Sequence, residues 1–158
     1  MGNILSPKNA IVVKLQSEIF NPGDESNQFI KQADGGGAAV TFTGLVRSLA
    51  DNPIKKMTLE HYPALAQKQL ENMAQTALER FGLIKVKVIH RYGAMYPNEP
   101  IVQVMSLSAH RQAAFDGANF IMDWLKTDAP FWKFEEGENG AEWVAAKTVD
   151  DNAKDKWK

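Results

Sequence analysis

The junction between a predicted strand and a predicted helix, SLSAHR at residues 106–111, is the stretch most suggestive of chemistry. A helix N-terminus carries unpaired backbone N–H groups and a partial positive charge, so it attracts anions and disfavours cations. His110 and Arg111 stand at this position at a cost of up to about 1 kcal/mol per charge. An anion shared by the two side chains and the backbone amides would account for them. The pattern equally allows an exposed Arg111 and a His110 that hydrogen-bonds a loop.

Two lysines downstream form the second candidate group. Lys126 lies four residues after Met122 at the far end of the same predicted helix, and Lys133 lies on a strand between Trp132 and Phe134. A lysine near a helix C-terminus usually only complements the helix dipole, and this alone would explain Lys126. A lysine partly desolvated among aromatic rings and near other cations has its neutral form favoured, which makes it a base or a nucleophile. The two lysines could therefore serve one site.

A third candidate cation, Arg47, follows the predicted strand TFTGLV at residues 41–46. Gly44 within this strand permits a close approach of other groups, and Arg47 is placed to point into a cleft. The three glycines at 35–37 precede a strand, whereas nucleotide-binding loops follow a strand and open a helix. Nucleotide binding at these glycines is therefore not favoured.

Composition narrows the chemistry. With 158 residues, 44% of them hydrophobic and 23% charged, the chain is typical of one globular domain, and its net charge of −1 gives no general attraction for nucleic acid. The absence of cysteine excludes thiolate nucleophiles, persulfide carriers and disulfides. No apolar run approaches the roughly 20 residues of a membrane span, and the N-terminus does not resemble a secretory signal. We expect a cytoplasmic protein.

The histidines do not predict a metal centre. His61, His90 and His110 are far apart in the sequence and form none of the paired spacings of zinc sites. Glu60 and His61 are neighbours on a predicted strand and face opposite sides, so they are poor partners for acid–base work. We expect structural roles for both.

Hydrophobic periodicity, prolines and glycines predict the elements that must position these groups. We expect Asp24 to cap a short helix, and the second long helix to bury Phe115, Ala118, Met122 and Leu125. The polar segment 48–56 is the predicted mobile loop. The predicted strands cover residues 10–16, 38–46, 57–62, 85–90 and 101–107, the long helices cover 63–81 and 111–127, and a hairpin joins 131–134 to 142–146.

Hairpins and strand pairs without intervening helices favour an α+β fold over a doubly wound parallel sheet. We expect a mixed or antiparallel sheet with two long helices and a small antiparallel sub-sheet. Residues 1–150 are predicted to form one catalytic domain, followed by a polar C-terminal tail at 151–158.

Six segments, in order over roughly residues 11–150, resemble the large subunit of molybdopterin synthase. They are FTGLVR (42–47), LEHYP (59–63), VIHRYG (88–93), SAHR (108–111), FIMDWLKTDAPFWK (120–133) and EWVAAK (142–147). The resemblance implies an α/β-hammerhead-like variant of the α+β fold. It also implies a homodimer in which each chain binds a small ubiquitin-like sulfur-carrier subunit with a C-terminal Gly-Gly thiocarboxylate, giving a heterotetramer.

The reaction implied by the resemblance is sulfur transfer from this carrier to cyclic pyranopterin monophosphate, which forms the dithiolene of molybdopterin. No metal or organic cofactor is implied. The resemblance assigns catalysis to Lys126 and Lys133. It assigns substrate binding to further residues from several segments: Phe42, Arg47, His110, Arg111, Met122 and Lys147. Lys147 matches a family arginine that reaches across the dimer, and a lysine there keeps the charge but loses the bidentate geometry. The turn at residues 96–98 also lacks the family's usual glycine.

Two other functions are compatible with parts of the pattern. A noncatalytic module would dock a ubiquitin-like partner through an edge strand and a groove for its tail. A pterin or nucleotide phosphohydrolase would use the same cationic pocket, but it normally needs a metal or a group of carboxylates, and the sequence shows no such group.

Overall fold

The computed structural model describes residues 10–138, 140–144 and 157. Three helices and eight strands lie within them. In chain order they are β1 (Ile11–Gln16), α1 (Pro22–Lys31), β2 (Ala38–Leu45), β3 (Ile54–His61), α2 (Pro63–Phe81), β4 (Lys85–Arg91), β5 (Gly93–Met95), β6 (Pro100–Ser108), α3 (Arg111–Thr127), β7 (Phe131–Gly137) and β8 (Gly140–Val144).

The strands form two four-stranded sheets. The first sheet has the order β1-β4-β6-β2, in which β1 runs parallel to β4 and the other pairs are antiparallel. The second sheet has the order β5-β3-β7-β8 and is antiparallel throughout. The predicted α+β class, with a mixed sheet, two long helices and a small antiparallel sub-sheet, is confirmed.

Helices cover both faces of the first sheet. Alternate residues of its central strands point to opposite sides, and apolar side chains on each side pack against the helices there. Val86, Val88 and Val104 pack with the apolar faces of α2 and α3. Ile89 and Met105 pack instead with Phe20 and Phe29 on the α1 side. None of the helices in the described part of the chain is both long and apolar enough to cross a membrane.

Helix α1 begins earlier than predicted. Asn21 is the N-cap, its side-chain oxygen accepts a hydrogen bond from the backbone N–H of Asp24 at 3.1 Å, and Pro22 occupies the first turn. The prediction that Asp24 caps this helix is therefore wrong. Asn caps helices as well as Asp does, and proline is pre-organised for the first helical position, so the helix begins where both preferences are met.

Helix α3 has the predicted bounds, but its buried face differs. Ala114, Gly117, Ala118 and Ile121 are buried, whereas Phe115 is 53% exposed. The prediction for Phe115 is wrong because Phe115 lies about 100° around the helix from Ala114 and so falls outside the buried face. Ala118 is buried as predicted, and Met122 and Leu125 are partly buried. A Cβ on Gly117 would lie 2.7 Å from Cδ1 of Leu83, which is too close for any larger residue.

The segment predicted as a mobile loop is partly regular, since β3 already begins at Ile54. Ser48 Oγ accepts a hydrogen bond from the Ile54 N–H at 3.0 Å, and Leu49 and Asn52 form an isolated β-bridge. In the neighbouring turn Asn98 has a φ of 72°, a left-handed conformation that asparagine tolerates better than most residues. This conformation explains how the turn forms without glycine.

Replacing the capping residue should destabilise the protein. Asn21→Ala is expected to lower the free energy of unfolding by about 1 kcal/mol, because the Asp24 N–H loses its acceptor. Asp24→Ala is the matched control and should cost only about 0.3 kcal/mol, since it removes a charge near the helix dipole. Urea unfolding at neutral pH measures both values, and equal losses would contradict the assignment of Asn21 as the cap.

Candidate active site

A cavity of about 440 Å³ lies where α3 ends and the second sheet begins. Its lining comes from both sheets and from the last turn of α3. Most of the lining residues are apolar. Among the described residues that line it, the polar side chains are His90, Lys126, Thr127 and Lys133, and none is acidic. The cavity therefore combines apolar walls with two ammonium groups.

Four of the predicted site residues, Phe42, Met122, Lys126 and Lys133, line this cavity together. Met122 and Lys126 are four residues apart on α3 and so project from one face of the helix. The chain then turns back, with the Phe131 N–H bonded to Ala129 O at 2.8 Å, and enters β7. This reversal brings Lys133 to the end of the helix that carries Lys126.

Gly44 gives Phe42 its place in the wall. A Cβ on Gly44 would lie 2.8 Å from Cγ1 of Val102 and 3.4 Å from Cε1 of Phe42. Both of these neighbours also line the cavity. Any side chain at position 44 would therefore push one of them, and the close approach expected at this glycine is confirmed.

The other predicted site residues are not in the cavity lining. Arg47 is exposed, two residues beyond the lining residue Leu45. His110 is the N-cap of α3 without a side-chain capping bond, and it is exposed, as is Arg111. A helix rises 1.5 Å per residue, so Arg111 and Lys126 are about 22 Å apart along α3. Lys147 lies outside the described residues.

The surroundings of Lys133 differ from those predicted. Alternation along β7 places Phe131, Lys133 and Glu135 on one face and Trp132 and Phe134 on the other. The Trp132 ring contacts Tyr62, and the Phe134 ring contacts Trp143. The prediction that Trp132 and Phe134 desolvate Lys133 is therefore wrong.

On its own face, Lys133 Nζ lies 3.9 Å from Glu135 Oε1, and the Lys133 side chain is 38% exposed. In the described residues no three His, Asp or Glu side chains are grouped so that they could hold a metal ion.

His90 is a cavity residue that the sequence interpretation missed. It follows Val86 and Val88 on the face of β4 that packs against the long helices, and only 7% of it is exposed. Its ring stacks on Phe131 with a centroid distance of 4.1 Å and an angle of 10°. The pKa of His90 is lowered to about 4, mainly by burial. The hydrogen bond to Arg91 O opposes this shift, and the charges of His61 and Lys126 add to it. In the sequence, the alternation of His90 with Val86 and Val88 along the strand indicated that its side chain is buried.

His61 lies behind the cavity and is consistent with a structural role. Its ring contacts Tyr92 at a centroid distance of 4.2 Å and stacks on Phe131 at 5.7 Å. Its Nε2 is buried and makes no hydrogen bond within the described structure. Burial lowers the pKa of His61, and the nearby Glu60 carboxylate opposes that shift.

Burial of neutral His90 should make stability depend on pH. The folded-state pKa of about 4 lies below the ordinary value of 6.5, so between these values only the unfolded chain binds the proton. The free energy of unfolding should therefore fall as the pH drops through this window, by up to roughly 3 kcal/mol from this group. Denaturant titrations of wild type and His90→Phe test this, and the variant should show the shallower pH dependence.

The exposed His110 provides the control for this experiment. His110→Phe should leave the slope of stability against pH at the wild-type value. Identical slopes in wild type and His90→Phe would contradict the assignment.

Comparisons with known proteins agree on one family. The sequence model of the family described as "MoaE protein" matches residues 15–128. A Rhizobium meliloti protein named "Molybdopterin synthase catalytic subunit" is 46% identical over 149 residues, which cover 93% of this chain and 96% of that protein. The solved structure of a molybdopterin biosynthesis MoaE protein from Burkholderia ambifaria is 37% identical, with a TM-score of 0.79 over 93% of this chain and 97% of that one.

A third match is the crystal structure of molybdopterin synthase from Staphylococcus aureus. It is 25% identical, has a TM-score of 0.75, and covers 84% of this chain and 96% of that chain.

Proposed function

Because this chain belongs to the MoaE protein family, we propose that it is the catalytic subunit of a molybdopterin synthase, a cytoplasmic sulfurtransferase of molybdenum cofactor biosynthesis. It takes sulfur from the C-terminal thiocarboxylate of a small ubiquitin-like subunit and transfers it to cyclic pyranopterin monophosphate. The product is the dithiolene of molybdopterin. Residues 1–150 are the proposed catalytic domain.

The observation that carries this proposal is that Lys126 and Lys133 line the same cavity, whose other lining residues are mostly apolar. The two lysines come from a helix and from the strand that follows it, and no described acidic side chain lines the space with them. An anionic substrate or a thiocarboxylate would find two ammonium groups there, both of which attract negative charge. The ring of Phe42, which lines the cavity, offers a flat surface for a pterin.

In the proposed mechanism Lys126 and Lys133 supply acid–base catalysis. Attack of a thiocarboxylate sulfur on the pterin side chain forms a thioester between carrier and pterin. Water then cleaves the acyl–sulfur bond, so the sulfur stays on the pterin and the carrier leaves as a carboxylate, and a second carrier supplies the second sulfur. These steps and the opening of the cyclic phosphate require proton transfers, which amines placed at the reacting atoms provide. An amine in this position could also trap the carboxyl end of the carrier covalently for a short time. Phe42 and Met122 shape the wall against which the substrate lies.

The remaining cations require a second copy of the chain. If His110 and Arg111 hold the substrate phosphate, they cannot do so beside Lys126 of their own chain, because α3 separates them by about 22 Å. In a two-fold homodimer the N-terminus of one α3 can face the cavity of the other chain. We therefore propose that each active site takes Lys126 and Lys133 from one subunit and His110 and Arg111 from its partner. Arg47 lies two residues beyond the lining residue Leu45, and it would orient the substrate or the carrier tail.

Removing either amine should abolish chemistry but not assembly. Lys126→Ala and Lys133→Ala are each expected to reduce dithiolene formation by about 100-fold or more, since each removes an acid–base group. Titration calorimetry with the carrier subunit should give nearly wild-type binding. Lys68→Ala, on the exposed side of α2, is the control and should be fully active. Undiminished dithiolene formation in both cavity variants would contradict the proposal and favour a noncatalytic docking module.

Mixing two inactive variants tests the shared site. Lys126→Ala and Arg111→Ala homodimers should each be nearly inactive, but after subunit exchange about a quarter of the sites would hold both native residues. Dithiolene formation should therefore recover to about a quarter of the wild-type rate. A mixture of Lys126→Ala with Lys133→Ala is the matched control and should stay inactive, because both residues come from the same chain. No recovery in the first mixture would show that the site is not shared in this way.

A further inference from the structure

Most of the polar side chains that line the cavity are hydrogen-bond donors. The ammonium groups of Lys126 and Lys133 can only donate hydrogen bonds when protonated. Thr127 uses its hydroxyl hydrogen on Asp123 O at 2.8 Å. A pterin carries ring N–H and amino groups that also donate, so these groups need acceptors when they are buried. Among the described lining side chains, only the Thr127 hydroxyl oxygen and the His90 ring can offer an oxygen or nitrogen acceptor.

His90 is held so that it can supply this acceptor. Nδ1 of His90 lies 2.9 Å from the backbone oxygen of Arg91. A carbonyl oxygen only accepts, so Nδ1 must carry the proton and Nε2 of the neutral ring keeps its lone pair. The stacking on Phe131 fixes the ring plane, and the bond to Arg91 O fixes its rotation.

Burial and the nearby positive charge of Lys126 keep His90 neutral at physiological pH. The ring is buried beside Lys126, and both burial and that ammonium group disfavour the imidazolium, which lowers the pKa of His90 to about 4. His90 therefore remains a hydrogen-bond acceptor in a cavity where a third cation would repel the two lysines. His61, by contrast, has its Nε2 buried without a partner.

We propose that His90 is a further substrate-binding residue, whose unprotonated Nε2 faces the cavity and accepts a hydrogen bond from an N–H group of the bound pterin. The inference rests on the proposed function for the identity of the substrate. His90 would then distinguish a planar heterocycle that has N–H donors from other phosphorylated compounds of similar charge. A residue that only filled the core would have no such effect.

Three variants of the full chain, assayed with its carrier subunit, separate the acceptor from the ring. His90→Gln places an amide oxygen near the position of Nε2, His90→Asn places one near Nδ1, and His90→Phe keeps the stacking on Phe131 without any acceptor. The KM for cyclic pyranopterin monophosphate should rise about tenfold in the Phe and Asn variants and less than about threefold in the Gln variant, with kcat changing less. Melting temperature and carrier binding check folding.

Equal KM values in wild type and His90→Phe would overturn the proposal. So would a Gln variant as impaired as the Phe variant, because shape and not the acceptor would then be responsible.

Nitrogen-15 NMR of wild-type protein labelled at histidine provides a test that does not depend on how the variants fold. Saturating cyclic pyranopterin monophosphate should shift the Nε2 signal of His90 in the direction of a hydrogen-bonded nitrogen. The Nε2 signal of His61, which does not line the cavity, serves as the reference. An unchanged Nε2 signal would overturn the role of His90 while wild-type dithiolene formation still stands. Absent dithiolene formation with a shifted Nε2 signal would instead count against the proposed reaction and in favour of pterin recognition by His90.

Discussion

Stacking of Phe131 on His90 joins the two sheets at the cavity. Phe131 opens β7 of the second sheet, and His90 lies near the end of β4 in the first, with 4.1 Å between the ring centroids. His61 at the end of β3 stacks on Phe131 as well. Because Lys133 follows Phe131 by two residues on the same face of β7, this contact sets where its amine stands relative to Lys126. The geometry of the two lysines thus depends on a buried aromatic contact rather than on an ion pair.

The length of α3 is the second constraint. The helix runs from Arg111 to Thr127, so its anion-attracting N-terminus and its lysine-bearing C-terminus are at opposite ends of the first sheet. One chain alone cannot use both ends on a small substrate. The proposed homodimer would resolve this difficulty and would give the cations at the helix N-terminus, which are costly in isolation, an anion to bind. Dimerisation would then be a requirement of the chemistry and not only of stability.

Much of the fold could be predicted from local sequence. Proline and glycine mark the ends of α2, and the pattern of apolar residues correctly located α3 and the final hairpin. The errors arose where contacts between distant parts of the chain decide whether a side chain is buried or lines a cavity. Phe115 was assigned to the apolar face of α3, but the neighbouring elements contact a face centred on Ala114, Gly117 and Ile121. His90 could not be recognised as a cavity residue because its role depends on Phe131, which is distant in sequence and belongs to another sheet. The resemblance to a family supplied the site residues, but not their distribution between the two ends of α3.

Reconstitution of the whole reaction is the most direct test of the central claim that this cavity catalyses sulfur transfer. The wild-type chain would be mixed with a thiocarboxylated ubiquitin-like carrier and cyclic pyranopterin monophosphate, and the products separated and identified by mass spectrometry. The account predicts a pterin that carries both sulfurs of a dithiolene and an opened phosphate, with the carrier returned as a carboxylate. A folded, carrier-bound protein that leaves the cyclic pterin free of sulfur would contradict it.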